Sequence, residues 1–398
     1  MRTLAFLATL PLLAGPALAD THYTAIFAEN GASGAAARLA DIADPTPSDR
    51  LAHGGAQFLA AVEGALQTRY AHGLSSDQMA MGLDLPFFRL PVPPNPQPAP
   101  FTGAVLTDML ENALDDLANA AATLDTIADA DEAALVLRPG DLWLDIDDDG
   151  SRGPGEDLSA VAAHLFAADG DWPATLEIRF DTADAAWLSA YAHALSGMSE
   201  LILATDPAPT IDAIRDATAT FDAARLPGET ITTGFVELPE IDALTIVFKA
   251  LEGPLDADHT RAAHAHFRAM IADNRVFWTR VAAETDDDRE WIPAAGQTSA
   301  LPLTFPDGIA ESWQAVLADA EAVLAGDLLL PHWRLGDGAG VNLARLLQDP
   351  PDFDLIGLLQ GYSLAPYAER GPVIDGAALR RFDEMTGGNS PLFAIILN

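Results

Sequence analysis

The chain is predicted to be mainly α: an irregular fold of packed helices with one small β-hairpin leading into an acidic loop. Three observations predict it. Apolar residues recur at three- and four-residue steps over long stretches. Apolar types make up 49% of the 398 residues, ample for a buried core. Strand-like patterning is confined to short stretches, chiefly after Ala134. No repeat with fixed Gly, Pro and aromatic positions runs through the chain, so a tetratricopeptide or ankyrin array is not expected.

The elements follow in order. Residues 1–19 have the three parts of a secretory signal: Arg2, an apolar run from Leu4 to Leu13, and Ala17-Leu18-Ala19 ahead of Asp20. The expectation is cleavage before Asp20 and a periplasmic or secreted mature protein. The apolar run is far shorter than the ~20 residues of a membrane-spanning helix, so no membrane anchor is expected. Residues 20–100 are read as an N-terminal helical segment. In it Leu51, Phe58, Val62, Leu66 and Tyr70 share one face of a helix from Asp49, whose carboxylate is placed to cap it. From Leu85 to Phe101 seven prolines prevent a regular helix, which predicts a strap or a boundary.

Residues 101–206 are read as helices, hairpin and acidic loop. A helix over 102–128 carries the stripe Leu106, Leu110, Ala113, Leu117, Ala120 and Leu124, with Asp108, Glu111, Asp115 and Asp116 on its solvated side. Leu135–Leu137 and Leu142–Ile146 are expected to pair around Pro139-Gly140. A helix over 157–167, a short strand over 176–180 and a helix over 182–203 follow. The last is apolar nearly all round and belongs in the middle of a core. Residues 207–398 form a C-terminal helical region with helices near 241–251, 258–284, 309–324, 341–348 and 376–385. Thr285-Asp286-Asp287-Asp288 closes the longest of them in an acidic loop.

Charge and composition narrow the function. There are 21 Lys+Arg against 59 Asp+Glu, a net charge of −38, one unit more negative without Arg2. Nucleic acid and anionic lipid both need clustered cations, so neither is an expected partner. With no cysteine, disulfides, thiolate metal sites and cysteine nucleophiles are excluded.

The most specific pattern is Asp145-Ile146-Asp147-Asp148-Asp149-Gly150-Ser151-Arg152-Gly153-Pro154-Gly155-Glu156. A hard cation takes six to eight oxygens at ~2.3–2.6 Å, and one short loop must wrap to supply them. The carboxylates of Asp145, Asp147 and Asp149 reach inward, Gly150 makes the sharp turn, the Ser151 carbonyl follows, and Glu156 closes the shell with both oxygens. These twelve residues resemble the calcium loop of the EF-hand family. The resemblance implies Ca²⁺ as the bound ion and covers no more of the chain. Arg152 stands where an aliphatic residue usually pairs with a second hand, and no second loop of this pattern occurs, so a lone structural site is expected.

Other constellations do not hold. Gly361-Tyr362-Ser363-Leu364-Ala365 superficially resembles the nucleophile elbow of the α/β-hydrolases, but no His follows Ser363. The run 336–340 lacks the lysine of a phosphate-binding loop and reads as a glycine-rich turn before a helix capped by Asn342. His259, His264 and His266 share a helix without zinc-ligand spacing. His193 on the apolar helix, and His332 beside Trp333 and Arg334, merit inspection. The sequence favours an exported calcium-binding protein with no catalytic residue identified. Two other readings stay open: a periplasmic enzyme with a carboxylate or His-containing site between helical lobes, and a helical adaptor for an unidentified exported protein.

Overall fold

The computed structural model describes residues 20–74, 86–159, 176–226, 238–301 and 304–397. The signal-like residues 1–19 lie outside that set. The fold is mainly α, with short antiparallel strand pairs. Helix α1 (Asp20–Ala40) is broken at Gly31, whose φ of 66° and ψ of −172° are not helical. Helix α2 (Pro47–Ala71) starts at Thr46, one turn ahead of the expected cap. The Thr46 hydroxyl accepts the Asp49 N–H while the Asp49 carboxylate accepts the Thr46 N–H. Asp49 is thus the third helical residue of a reciprocal capping box.

The proline-rich strap contains one short turn of helix, α3 (Pro86–Arg89). Arg69 of α2 is fully buried and donates through Nη1 to the carbonyls of Phe87 (3.0 Å) and Leu90 (2.7 Å), which fastens the strap to the helix. Helix α4 (Gly103–Leu124) is capped by Thr102 and buries the predicted stripe. Its four acids are exposed as expected.

The expected pairing of 135–137 with 142–146 does not form. Strand β1 (Ala134–Leu137) pairs with β2 (Ile178–Asp181), in register Ala134↔Asp181 to Leu137↔Ile178. Pro139–Asp141 is a 3-10 turn that carries the chain off the strand line. Residues 142–146 instead make a single bridge, Trp143↔Asp157, which closes the acidic loop on itself. The helix expected over 157–167 enters the described residues only at Leu158 and Ser159.

Helix α5 (Thr182–Ala204) begins at Asp181 with a second capping box, completed by Asp184. It packs on α2, α4 and above all α8 (Ala257–Val281), so the apolar helix sits inside the fold. Leu188 reaches all three main core clusters. Helices α6 (Ala208–Ala224) and α7 (Leu238–Ala250) lie between α5 and α8 in sequence. After α8 come α9 (Ile309–Ala325), α10 (Leu343–Gln348), α11 (Leu355–Gln360), α12 (Ala377–Met385) and α13 (Ser390–Leu397). The two-residue strands β3 (Gly253–Pro254) and β5 (Asp352–Phe353) pair, as do β4 (Ala339–Val341) and β6 (Ala368–Arg370). Val341, expected in a helix, belongs to β4; the Asn342 side chain then accepts the Arg345 N–H (3.0 Å) and starts α10 as expected. Among the described residues no helix is long and apolar enough to cross a membrane.

Candidate metal centre

The 145–156 loop is suspended from α2. Glu63, buried on α2, accepts the Asp145 N–H at Oε2 (2.8 Å). Its other oxygen accepts the Ser33 hydroxyl and, at 3.3 Å, the Ser33 N–H. One turn further along, Gln67 Nε2 donates to the Asp145 carbonyl (2.8 Å). Trp143, just ahead of the loop, donates its indole N–H to the Ala28 carbonyl (3.2 Å), and its ring lies against Gly31. The far end is tied by Leu144 N–H to Glu156 O (3.0 Å) and Leu158 N–H to Leu142 O (2.9 Å). Burial pushes the Glu63 carboxyl up, against the lowering effect of the Ser33 and Asp145 donors.

Within the loop the backbone turns so that side chains point together. Asp145 accepts the N–H groups of Asp149 (3.1 Å) and Gly150 (3.0 Å), and Asp149 accepts the Ser151 N–H (2.7 Å). Gly150 holds φ 77°, in the left-handed region that glycine enters without strain. The carboxylates of Asp145, Asp147 and Asp149 each offer an oxygen within 4.8 Å of the others, so they can hold a metal ion. One oxygen of Asp147 is buried and has no hydrogen-bond partner among the described residues. Ser151 is exposed at the loop's outer turn.

Glu156 is brought to the loop but stands outside that group of three. Its buried carboxylate accepts Ile146 N–H (2.8 Å) and Asp147 N–H (3.3 Å) at Oε1, and Gly153 N–H (2.5 Å) at Oε2. A carboxylate has about four lone-pair sites, so Oε2 keeps one for an ion. Arg152 turns back onto Asp157 and the Gly140 carbonyl, which accounts for a charged residue at the eighth place.

The histidines are placed much as their scatter suggests, with one exception. His264 is a satisfied core residue: its Nε2 bonds the Leu324 carbonyl (2.7 Å) and its Nδ1 meets Gln348 Nε2 (2.9 Å). The exception is His266, which meets His193 across the α5–α8 pair at 2.9 Å between Nδ1 atoms. His193 Nε2 faces Asp273 at 3.8 Å, and Ser189 bridges Asp273 and Asp125 at 3.0 Å each. Burial pushes both imidazoles down and raises Asp273 to about 6. The signal was in the sequence as His259, His266, Asp273 and Arg280, each seven residues apart on one helix face. His332 lies against Gly361, and Ser363 is buried in the turn after α11, its N–H on the Gly357 carbonyl (3.3 Å).

Sequence reasoning also missed a second acid group. Asp181, Glu284 and Glu290 gather where β2, the end of α8 and the acidic loop meet, each with an oxygen within 4.8 Å of the others. Asp181 and Glu284 line a cleft of about 950 Å³. Desolvation first, then the Asp181 charge, raises Glu284 to about 7. The three are 181, 284 and 290 in the chain, and no local spacing foretells their meeting. No family model, curated protein or solved structure matches this chain.

Proposed function

We propose that this is an exported protein that binds one Ca²⁺ in the loop from Asp145 to Glu156, where the ion is structural. The convergence of the Asp145, Asp147 and Asp149 carboxylates carries this reading. Three negative groups within one turn repel each other, and a cation reverses that energy. The Ser151 carbonyl and Glu156 Oε2 complete an all-oxygen donor set of the kind calcium prefers. The loop hangs on α2 through Glu63 and Gln67 and abuts α1 through Trp143, so filling it braces the N-terminal helices. Export rests on the 1–19 signal pattern.

Melting curves of the mature chain test the site. Lone extracellular sites bind at ~10⁻⁴ to 10⁻³ M. Calcium at ten times the dissociation constant adds roughly 1.4 kcal/mol, so the midpoint should rise by a few degrees over that in chelator. Magnesium should do less, because it demands tighter octahedral geometry. Asp147→Asn removes a ligand charge, and should abolish the calcium shift while leaving the melt in chelator close to wild type. Identical wild-type melts in calcium and in chelator would refute the site. Mass spectrometry of the exported chain should give Asp20 as its first residue, and a retained Met1 would refute the cleavage.

A further inference from the structure

A second feature of the fold adjoins the foot of the 145–156 loop through Leu142 and Leu158. Between α2, the β1–β2 pair and α5 lies a cavity of about 200 Å³. An apolar cavity of ~150 Å³ is enough to admit benzene, so this one has room for a small organic molecule. Five aromatic rings on its wall form an unbroken train. Phe58 meets Tyr191 (5.6 Å between centroids), Tyr191 stacks on Trp187 (5.7 Å), Trp187 meets Trp291 edge-on (5.4 Å), and Trp291 meets Phe180 (5.7 Å). Leucines fill most of the remainder.

One polar group in this lining is out of place. Asp184 shares the cavity face of α5 with Trp187 and Tyr191, at the three- and four-residue steps of a helix. Its side chain is buried, and one oxygen accepts the Asp181 N–H (2.8 Å). The charged neighbours that act on it most strongly are Asp181, Glu284 and Glu290, all acids. Desolvation, then those charges, holds its carboxyl well above the ordinary range. An aromatic cavity with one carboxyl, and acids behind it, presents negative π-faces and negative potential to the same small volume.

We propose that this cavity binds a small organic cation, an alkylated or quaternary ammonium. The cation rests on the ring faces, with Asp184 as counter-ion. A neutral guest of the same shape fills the volume but leaves the Asp184 carboxyl protonated and gains nothing from its charge. An anion meets four carboxyls.

Choline is the probe, titrated calorimetrically and by tryptophan fluorescence into the calcium-loaded mature chain. Its uncharged isostere 3,3-dimethylbutan-1-ol is the comparison. Choline should bind at least about tenfold tighter than the isostere, the factor expected of a desolvated cation–π site. Because the cation favours ionised Asp184, choline should lower the pH at which that carboxyl loses its proton, read as proton release across a pH series of titrations in buffers of different ionisation enthalpy. Asp184→Asn should abolish that release. Tyr191→Leu keeps an apolar wall and should weaken choline about tenfold while sparing the isostere; it serves if the Asn variant does not fold. Equal affinity for choline and isostere, binding without proton release, or no binding at millimolar choline would each overturn the proposal.

Discussion

Gly31 holds φ 66° and ψ −172°, a conformation almost confined to glycine, and a Cβ placed on it would come within 3.1 Å of the Trp143 ring. The Ala32 N–H, freed by the break, donates to the Trp143 carbonyl (3.1 Å). The kink in α1 is therefore shaped to the segment that enters the metal loop. Gly31→Ala should cost roughly 1–3 kcal/mol from backbone strain and displaced packing, measured by urea unfolding. A neutral result would mean that the kink relaxes without cost. Nothing in Glu-Asn-Gly-Ala-Ser foretells this, because glycine in a helical pattern is as compatible with a cap or a close packing contact as with a break. The acidic loop is different. The convergence of Asp145, Asp147 and Asp149 around the turn at Gly150 was legible because it depends on spacing within a few residues. The hydrogen bonding of Glu156 was not legible, since it depends on where the Ile146, Asp147 and Gly153 N–H groups point.

Helix α2 links these local features, since one side of it carries Glu63 and Gln67, spaced to meet the same Asp145. Glu63→Ala strips the acceptor from the Ser33 hydroxyl, the Ser33 N–H and the Asp145 N–H. The half-buried Asp145 N–H left without its acceptor costs about 1–3 kcal/mol, whereas the exposed Ser33 donors can turn to water. The variant should lose about that much stability and show a higher calcium concentration at half-saturation, because the proposed first ligand is no longer held. Glu63→Gln keeps an acceptor and should recover part of both. Calcium affinity unchanged in Glu63→Ala would show that the loop does not depend on α2. At this scale the sequence was informative about helices and poor about strand partners. Amphipathic periodicity marks α2, α4, α8 and α9 because burial of one stripe leaves its trace at three- and four-residue steps. Pairing of β1 with β2 joins residues more than forty apart in the chain, and the apolar run Leu135–Leu137 carries no address for its partner.

Across the molecule the carboxylates divide into two sets that respond to pH in opposite senses. Asp49, Glu177, Asp256, Asp288 and Glu369 are held low, by hydrogen bonds and, for Glu177, Asp288 and Glu369, by a neighbouring arginine; their stabilisation is present above the unfolded range and lost as acid protonates them. Asp184, Glu284 and Glu290 are raised by desolvation first and then by neighbouring acids, Asp181 foremost, and Asp273 chiefly by desolvation. For this second set the native state holds more protons than the unfolded one between the ordinary carboxylate range and the raised values. Its contribution is complete below the unfolded range and declines as pH rises through the native values, which are about 6 for Asp273 and about 7 for Glu284. The −38 charge adds repulsion in the same direction. In chelator, so that calcium does not mask the trend, the melting midpoint should fall from pH 5.5 to pH 8. Glu284→Gln retains an acceptor for Gln297, removes the charge beside Asp181 and Glu290, and should flatten the fall by raising the midpoint at pH 8 more than at pH 5.5. A wild-type midpoint that rises over this interval, or a variant with the same slope, would show that the acid group where β2 meets α8 does not set the response.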